Sequence, residues 1–175
     1  MTTSATRPST TRLAPAPGTA QAVMTDLREF LAFKIGNEEY GVDILRVQEI
    51  RTYEKPTTIA NATGELLGVM NLRGVIVPIL DLRLKLGQPA VQYDHLKVVI
   101  VLHIGQRTVG VVVDGVSDVL TLEREQLRPV PALRGNVKPE HLLAIGSVGP
   151  RMLILLDIEK FLAPPVAGEA LAATP

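Results

Sequence analysis

Three histidines (His95, His103 and His141), a few serines and scattered carboxylates are the side chains from which this 175-residue chain could build a reactive centre. A metal site needs donors spaced so that they converge, and none of the histidines stands at such a spacing from a carboxylate motif. Each reads as a surface or linker residue, His103 closing a strand just before a hairpin. The chain has no cysteine, which removes thiol nucleophiles, thiolate ligands and disulfides. Ser4 and Ser9 lie near the N-terminus, Ser117 in "GVSDV" and Ser147 in "IGSVG", and none sits in a Gly-x-Ser-x-Gly elbow. Ser117 precedes Asp118, but neighbouring strand residues point to opposite faces and make no dyad. No glycine-rich phosphate loop is present. Glu49, Asp114 and Asp118 could serve acid–base work only if something paired them, and nothing in their spacing does so. With the covalent, metal and phosphate routes failing together, the chain reads as a non-enzyme with no cofactor and no metal.

Two charges remain conspicuous. In "GVMNLRGVIVPILDLR" (Gly68 to Arg83) an arginine, Arg73, occupies a hairpin tip where small turn-formers are usual, and a proline, Pro78, follows where a ladder N–H belongs. In "LRVQEI" (Leu45 to Ile50) Glu49 interrupts a strand-like run. Alternation places Val47 and Glu49 on one side and Gln48 and Ile50 on the other, with Ile50 expected in the core. Gly74 can take the positive φ of the turn, and the planar fork of Arg73 suits contact with a partner. Pro78 places its strand at a sheet edge or beside a bulge.

The composition sets the frame that must hold these residues. Apolar residues make up 46% of the chain and aromatics only 3%, so the interior is aliphatic and favours β-structure. Eighteen basic and eighteen acidic residues cancel, with no basic cluster to bind nucleic acid. The longest apolar runs, "VVIVL" and "MLILL", are far too short for a bilayer span of about 20 residues. Direct membrane insertion is not expected. Residues 1–28, rich in Thr, Ser, Pro and Ala, read as a disordered tail, and 163–175 as a flexible one.

Between the tails the pattern is strands and turns. "EFLAFKIG" and "EEYGVDI" form a hairpin around Gly36-Asn37. "RVQEIRTY", "GVMNL" and "GVIVPILDL" follow, and a short helix over "DLRLKLG" stops at Gly87. Residues 88–95 read as a linker. The plan then restarts: a shift of 69 lays "IGNEEYGVDILRVQEI" over "IGQRTVGVVVDGVSDV", matching Gly36 to Gly105, Gly41 to Gly110, Val47 to Val116 and Glu49 to Asp118. Later "VPILDLRLKL" parallels "LILLDIEKFL", Asp81 on Asp157, each a helix N-cap. That offset is 157 − 81 = 76, so the second half carries an insertion, placed in "RPVPALRGNVKPEH". The expected domain spans 29–162, in halves 29–87 and 96–162. The expected fold is mainly β, two similar small barrels side by side with a few short helices and a groove between them.

"FxIGNEEYGVDILRVQEI", "GVMNLRGVIVPILDLR", "VVIVLHIGQRTVGVVVDGVSDVL" and "MLILLDIEKFL" together resemble the CheW family of chemotaxis coupling proteins, from about Glu29 to Leu162. The resemblance implies two SH3-like five-stranded barrels. It also implies a cytoplasmic adaptor without catalysis, monomeric alone, that joins the tips of membrane chemoreceptors to the regulatory domain of the histidine kinase CheA in an array. By the same resemblance Val47, Glu49 and Arg73 face the receptor, and Tyr53, Thr58 and Ile59 face the kinase. The alternatives are a CheW-like fragment of CheA or CheV, or a ligand-binding or kinase-regulatory barrel outside chemotaxis.

Overall fold

The computed structural model describes residues 27–62, 64–89, 92–131 and 137–163. The expectations for the two tails beyond these bounds, Ser4 and Ser9 included, lie outside the described residues. Eleven strands are formed among the described residues: β1 (Arg28–Ile35), β2 (Glu38–Asp43), β3 (Val47–Thr52), β4 (Leu66–Leu72), β5 (Val75–Asp81), β6 (Val98–Ile104), β7 (Arg107–Val113), β8 (Gly115–Leu122), β9 (Leu127–Arg128), β10 (Leu142–Val148) and β11 (Arg151–Leu156). Two single-turn helices, α1 (Leu82–Lys85) and α2 (Ile158–Phe161), follow β5 and β11. Strand β1 takes in Arg28, which the sequence assigned to the tail.

The strands form two sheets, ordered β8-β1-β2-β11-β10-β9 and β3-β6-β7-β5-β4. The sheets do not coincide with the halves 29–87 and 96–162. Hairpin β1–β2 lies in the sheet of the second half, and hairpin β6–β7 sits between β3 and β5 of the first. The repeat is therefore real but reciprocally exchanged. Shifted by 69, β1, β2 and β3 fall on β6, β7 and β8; shifted by 76, β4, β5 and α1 fall on β10, β11 and α2. Even the bulges repeat, at Gln48 and Ser117 and at Leu67 and Leu143. The short β9, missed in the sequence, gives one sheet a sixth strand where five were expected.

The exchange explains the unbroken apolar runs. Phe30 and Ala32 of β1 point into one barrel with Leu122, Leu153 and Leu155, while Leu31 and Phe33 enter the core shared by both sheets. In β6, Val99 and Val101 fill the other barrel with Val77 and Ile79, while Ile100 and Leu102 enter the shared core. A strand buried on both faces must be apolar at every position. The repeated glycines share one cause. A Cβ on Gly41 would come within 2.6 Å of Leu155, and one on Gly110 within 2.5 Å of Ile79, where β2 and β7 pair in parallel with β11 and β5.

Pro78 corrects the edge-strand alternative. Strand β5 is internal, but its parallel ladder to β7 covers only Ile79 to Asp81, so Pro78 stands one residue before it. The bulge alternative is closer: β4 bulges at Leu67, beside the stretch that pairs with Ile79 and Leu80. Thr57 and Val69 exchange backbone hydrogen bonds of 2.9 Å, so the chain after β3 meets β4 and curls that sheet towards closure.

Candidate docking site

The curl brings the two conspicuous charges together. Arg73 Nη2 donates to Glu49 Oε2 at 2.7 Å, across 24 residues of sequence. The turn between β4 and β5 has two residues, Arg73 (φ 52°) and Gly74 (φ 86°), closed by the Leu72–Val75 pair and by Gly74 N–H donating to Asn71 Oδ1 at 2.8 Å. Positive φ at both residues marks a primed hairpin turn, whose first position favours asparagine or glycine. An arginine there costs about 1 kcal/mol or more of backbone strain. Its side chain nevertheless stands 74% exposed, while Glu49 is 18% exposed.

The structure reverses the face assignment of β3. Val47, Glu49 and Arg51 are half-buried, and Val47 packs on the shared core; Gln48, Ile50 and Thr52 are exposed, Ile50 by 47%. Alternation separates the two sets but does not say which faces inwards. The core took Val47, and Ile50 became an apolar surface residue.

The repeat supplies an internal control. Asp118, the counterpart of Glu49, accepts two hydrogen bonds from Arg151 at 3.0 and 2.9 Å. Arg151 opens the hairpin strand equivalent to β5 and also donates to Glu39 at 2.8 and 3.3 Å. The hydrogen bonds from Arg151 hold the Asp118 carboxyl below the usual carboxylate range, and those to Asp118 and Glu39 raise the Arg151 guanidinium. That cluster is satisfied within the chain and ties β2, β8 and β11 together. In the other barrel Arg73 makes one hydrogen bond and holds most of its donors towards solvent. The two ion pairs differ in one respect that matters: one is closed, the other open.

Some of the exposed apolar residues are duplicated too. Leu27 (41%) and Leu96 (68%), Ile50 (47%) and Val119 (51%), and Ile76 (61%) and Met152 (67%) are pairs related by the same shifts. Equivalent positions of the two halves thus expose apolar side chains. Two surface clefts accompany them: one of about 330 Å³ lined by Leu27, Ile44, Leu45 and the Arg28–Asp43 pair, and one of about 490 Å³ lined by Glu39, Ile145, Arg151 and Met152. Neither lies inside a barrel.

Of the remaining sequence candidates, Thr58 and Ile59 are exposed, Ile59 by 41%. They stand apart from the Glu49–Arg73 pair in sequence, on the segment after β3. Tyr53 is half-buried, stacked on Tyr93 at 5.4 Å, and burial followed by the charge of Asp81 pushes its hydroxyl up. Tyr93 lies in the segment read as a linker, yet its hydroxyl donates to Asp81, which is 1% exposed and caps α1. The one sequence hint of Tyr93 was an aromatic residue in a Pro- and Gly-bearing stretch. Asp114 is held by Arg83, Lys97 (2.7 Å) and Gly36 N–H (2.6 Å). Burial opposes its ionisation, but these donors outweigh it and keep its pKa below the ordinary value. Glu49, Asp114 and Asp118 therefore each belong to a separate ion pair, and no two form an acid–base pair. His95 and His103 are exposed, and His141 meets the Phe161 ring edge-on at 5.5 Å. Among the described residues no three His, Cys, Asp or Glu side chains converge to hold a metal, and no helix is long and apolar enough to cross a membrane.

Comparison with known proteins points one way. The model of the CheW-like domain matches residues 29–165. The chain is 60% identical over 136 residues to the chemotaxis protein CheW of Klebsiella aerogenes, covering 78% of this chain and 82% of that one. It is 36% identical to a probable chemotaxis protein CheW of Rhizobium etli, covering 75% and 85% respectively. The crystal structure of the scaffolding protein CheW of Thermoanaerobacter tengcongensis superposes with a TM-score of 0.72 at 23% identity, over 79% of this chain and 94% of that one.

Proposed function

The chain belongs to the CheW-like domain family, and from that premise we propose that it is a non-catalytic adaptor of bacterial chemotaxis, coupling transmembrane chemoreceptors to the histidine kinase CheA. The observation that carries the proposal is the open Glu49–Arg73 pair. A strained turn presents an arginine at 74% exposure. In the other barrel the counterpart of Glu49, Asp118, is paired with Arg151, which stands at the position of Val75 rather than of Arg73 and is spent on the fold. Strain kept at an exposed position, with unused donors, supports a contact residue. A receptor's helical hairpin tip lies over the part of Val47 that the core leaves exposed, with Glu49 and Arg73 fixing its orientation. The kinase's regulatory domain takes a separate surface, formed by Tyr53, Thr58 and Ile59. The exposed Ile50, on the outward face of β3, adds apolar area to it. Binding two partners at distinct surfaces is what transmission requires: a change in receptor packing then shifts the kinase's equilibrium through the shared adaptor. The protein acts in the cytoplasm and is recruited to receptor arrays.

Titration of the purified protein against a soluble receptor tip and against the isolated regulatory domain of CheA tests this. The expected result is that both bind, and that Arg73→Glu removes receptor binding while keeping kinase binding and the circular-dichroism spectrum. A folded wild type that binds neither partner refutes the adaptor role. Equal loss of both partners in the variant refutes the assignment of Arg73.

A further inference from the structure

Glu49 holds one carboxylate oxygen against Arg73 and leaves the other, Oε1, buried without a hydrogen bond. The cation nearest that second oxygen is Arg51, whose Nη1 lies 3.5 Å away. Arg51 stands two residues along β3 on the same inward-facing side, 36% exposed. This places two cations around one carboxylate. One of them, Arg73, is the residue a partner is proposed to engage.

We infer that Arg51 is a positioning residue of the receptor-binding surface, holding Glu49 when a partner draws the Arg73 guanidinium away. The inference rests on the docking role given above to Glu49 and Arg73. Its physical basis is the cost of an orphaned charge. If Arg73 turns its fork to a partner, Glu49 loses its hydrogen bond while its side chain is only 18% exposed. An unpaired, poorly hydrated carboxylate is unfavourable, and the binding step would bear that penalty. Arg51 needs to move by less than an ångström to bring 3.5 Å within ordinary charge-assisted hydrogen-bond range. The transfer keeps Glu49 paired and keeps its carboxylate where the partner meets it. It also releases Arg73 without unfolding the turn. The other barrel lacks this arrangement: there one arginine serves two carboxylates, so it has no cation in reserve.

The test is a double-mutant cycle read by titration of the full-length protein with a soluble receptor tip. Arg51→Gln should weaken binding roughly three- to fivefold, the range for one partly exposed ion pair. Arg51→Lys should restore most of it, because a second cation rather than the guanidinium shape is what Glu49 requires. In a Glu49→Gln background Arg51→Gln should cause no further loss, since Arg51 acts through that carboxylate. Affinity for the kinase domain and the thermal midpoint should stay unchanged in the Arg51 variants. Equal loss from Arg51→Gln in both backgrounds would overturn the inference, as would full affinity in Arg51→Gln. Those outcomes leave the adaptor role intact. A wild type that does not bind the receptor tip brings down both.

Discussion

Arg73 shows how a single residue can be set against the local preference of the backbone. The turn asks for asparagine or glycine, and the chain supplies an arginine at φ 52°. Arg73→Asn should therefore leave stability unchanged or raise it by up to about 1 kcal/mol, as relief of strain offsets the loss of a surface ion pair. The same change should weaken receptor binding. Thermal unfolding beside a binding titration separates the two effects, and a variant both less stable and fully competent to bind would contradict the strain argument. Asp81 is the opposite case, a charge wholly inside. It accepts from the N–H groups of Arg83 and Leu84 and from the Tyr93 hydroxyl. Asp81→Ala should lower stability by about 2–4 kcal/mol, because it removes a helix cap and leaves buried donors unpaired. Urea denaturation gives the figure.

At the scale of elements, the contact between the chain after β3 and strand β4 decides the geometry of the docking surface. A Cβ on Gly68 would lie 2.2 Å from the carbonyl oxygen of Thr57, which is backbone and cannot swing aside. Gly68→Ala should part the Thr57–Val69 bridge and move β4 away from β3. The expected loss exceeds about 2 kcal/mol, and receptor binding should fall with it, because the β4–β5 turn carries Arg73 to Glu49. Hydrogen exchange at Val69 is the local readout: its amide donates to Thr57, so faster exchange there with β6 and β7 still protected is the expected pattern. The sequence showed a glycine beginning a strand. It gave no sign that the glycine is where a sheet folds over onto its own connection.

At the scale of the whole molecule, the reciprocal exchange of hairpins makes the two halves inseparable. A fragment ending at residue 89 lacks β6 and β7, so its own sheet has a gap between β3 and β5. Neither fragment 1–89 nor 90–175 should unfold cooperatively alone, while the two mixed should regain the β spectrum and the transition. A cooperative transition in either fragment alone would show that the halves are independent domains. Asp114 joins the same parts electrostatically: it sits between β7 and β8 and binds Arg83, Lys97 and the β1–β2 turn at Gly36. Its folded pKa lies below the ordinary 3.8, so its contribution is complete above that value and is lost as pH falls through the folded pKa. Between pH 5 and 2, roughly the range that brackets such a group, the wild type should lose more stability than Asp114→Asn. Equal slopes would mean that the Asp114 donors do not stabilise the fold.

The sequence by itself determined the class of the molecule, the order of most strands along the chain, the two helix caps at Asp81 and Asp157, and the internal repeat. Those are local features: turn chemistry, alternation and capping act over a few residues, and a repeated order survives any arrangement in space. Glu49 and Arg73 also stood out in the sequence, since a charge in an apolar strand and an arginine in a tight turn both break local rules, whereas Val47 was singled out only by the family resemblance. Tertiary structure decided which barrel each hairpin enters, that Ile50 is exposed and Val47 half-buried on the core, that Tyr93 is an anchor, and that the Glu49 pair stays open where the Asp118 pair is closed. Each of these depends on contacts between residues far apart in the chain. Alternation fixes two faces of a strand without saying which is buried, and only the packing of a second sheet chooses between them.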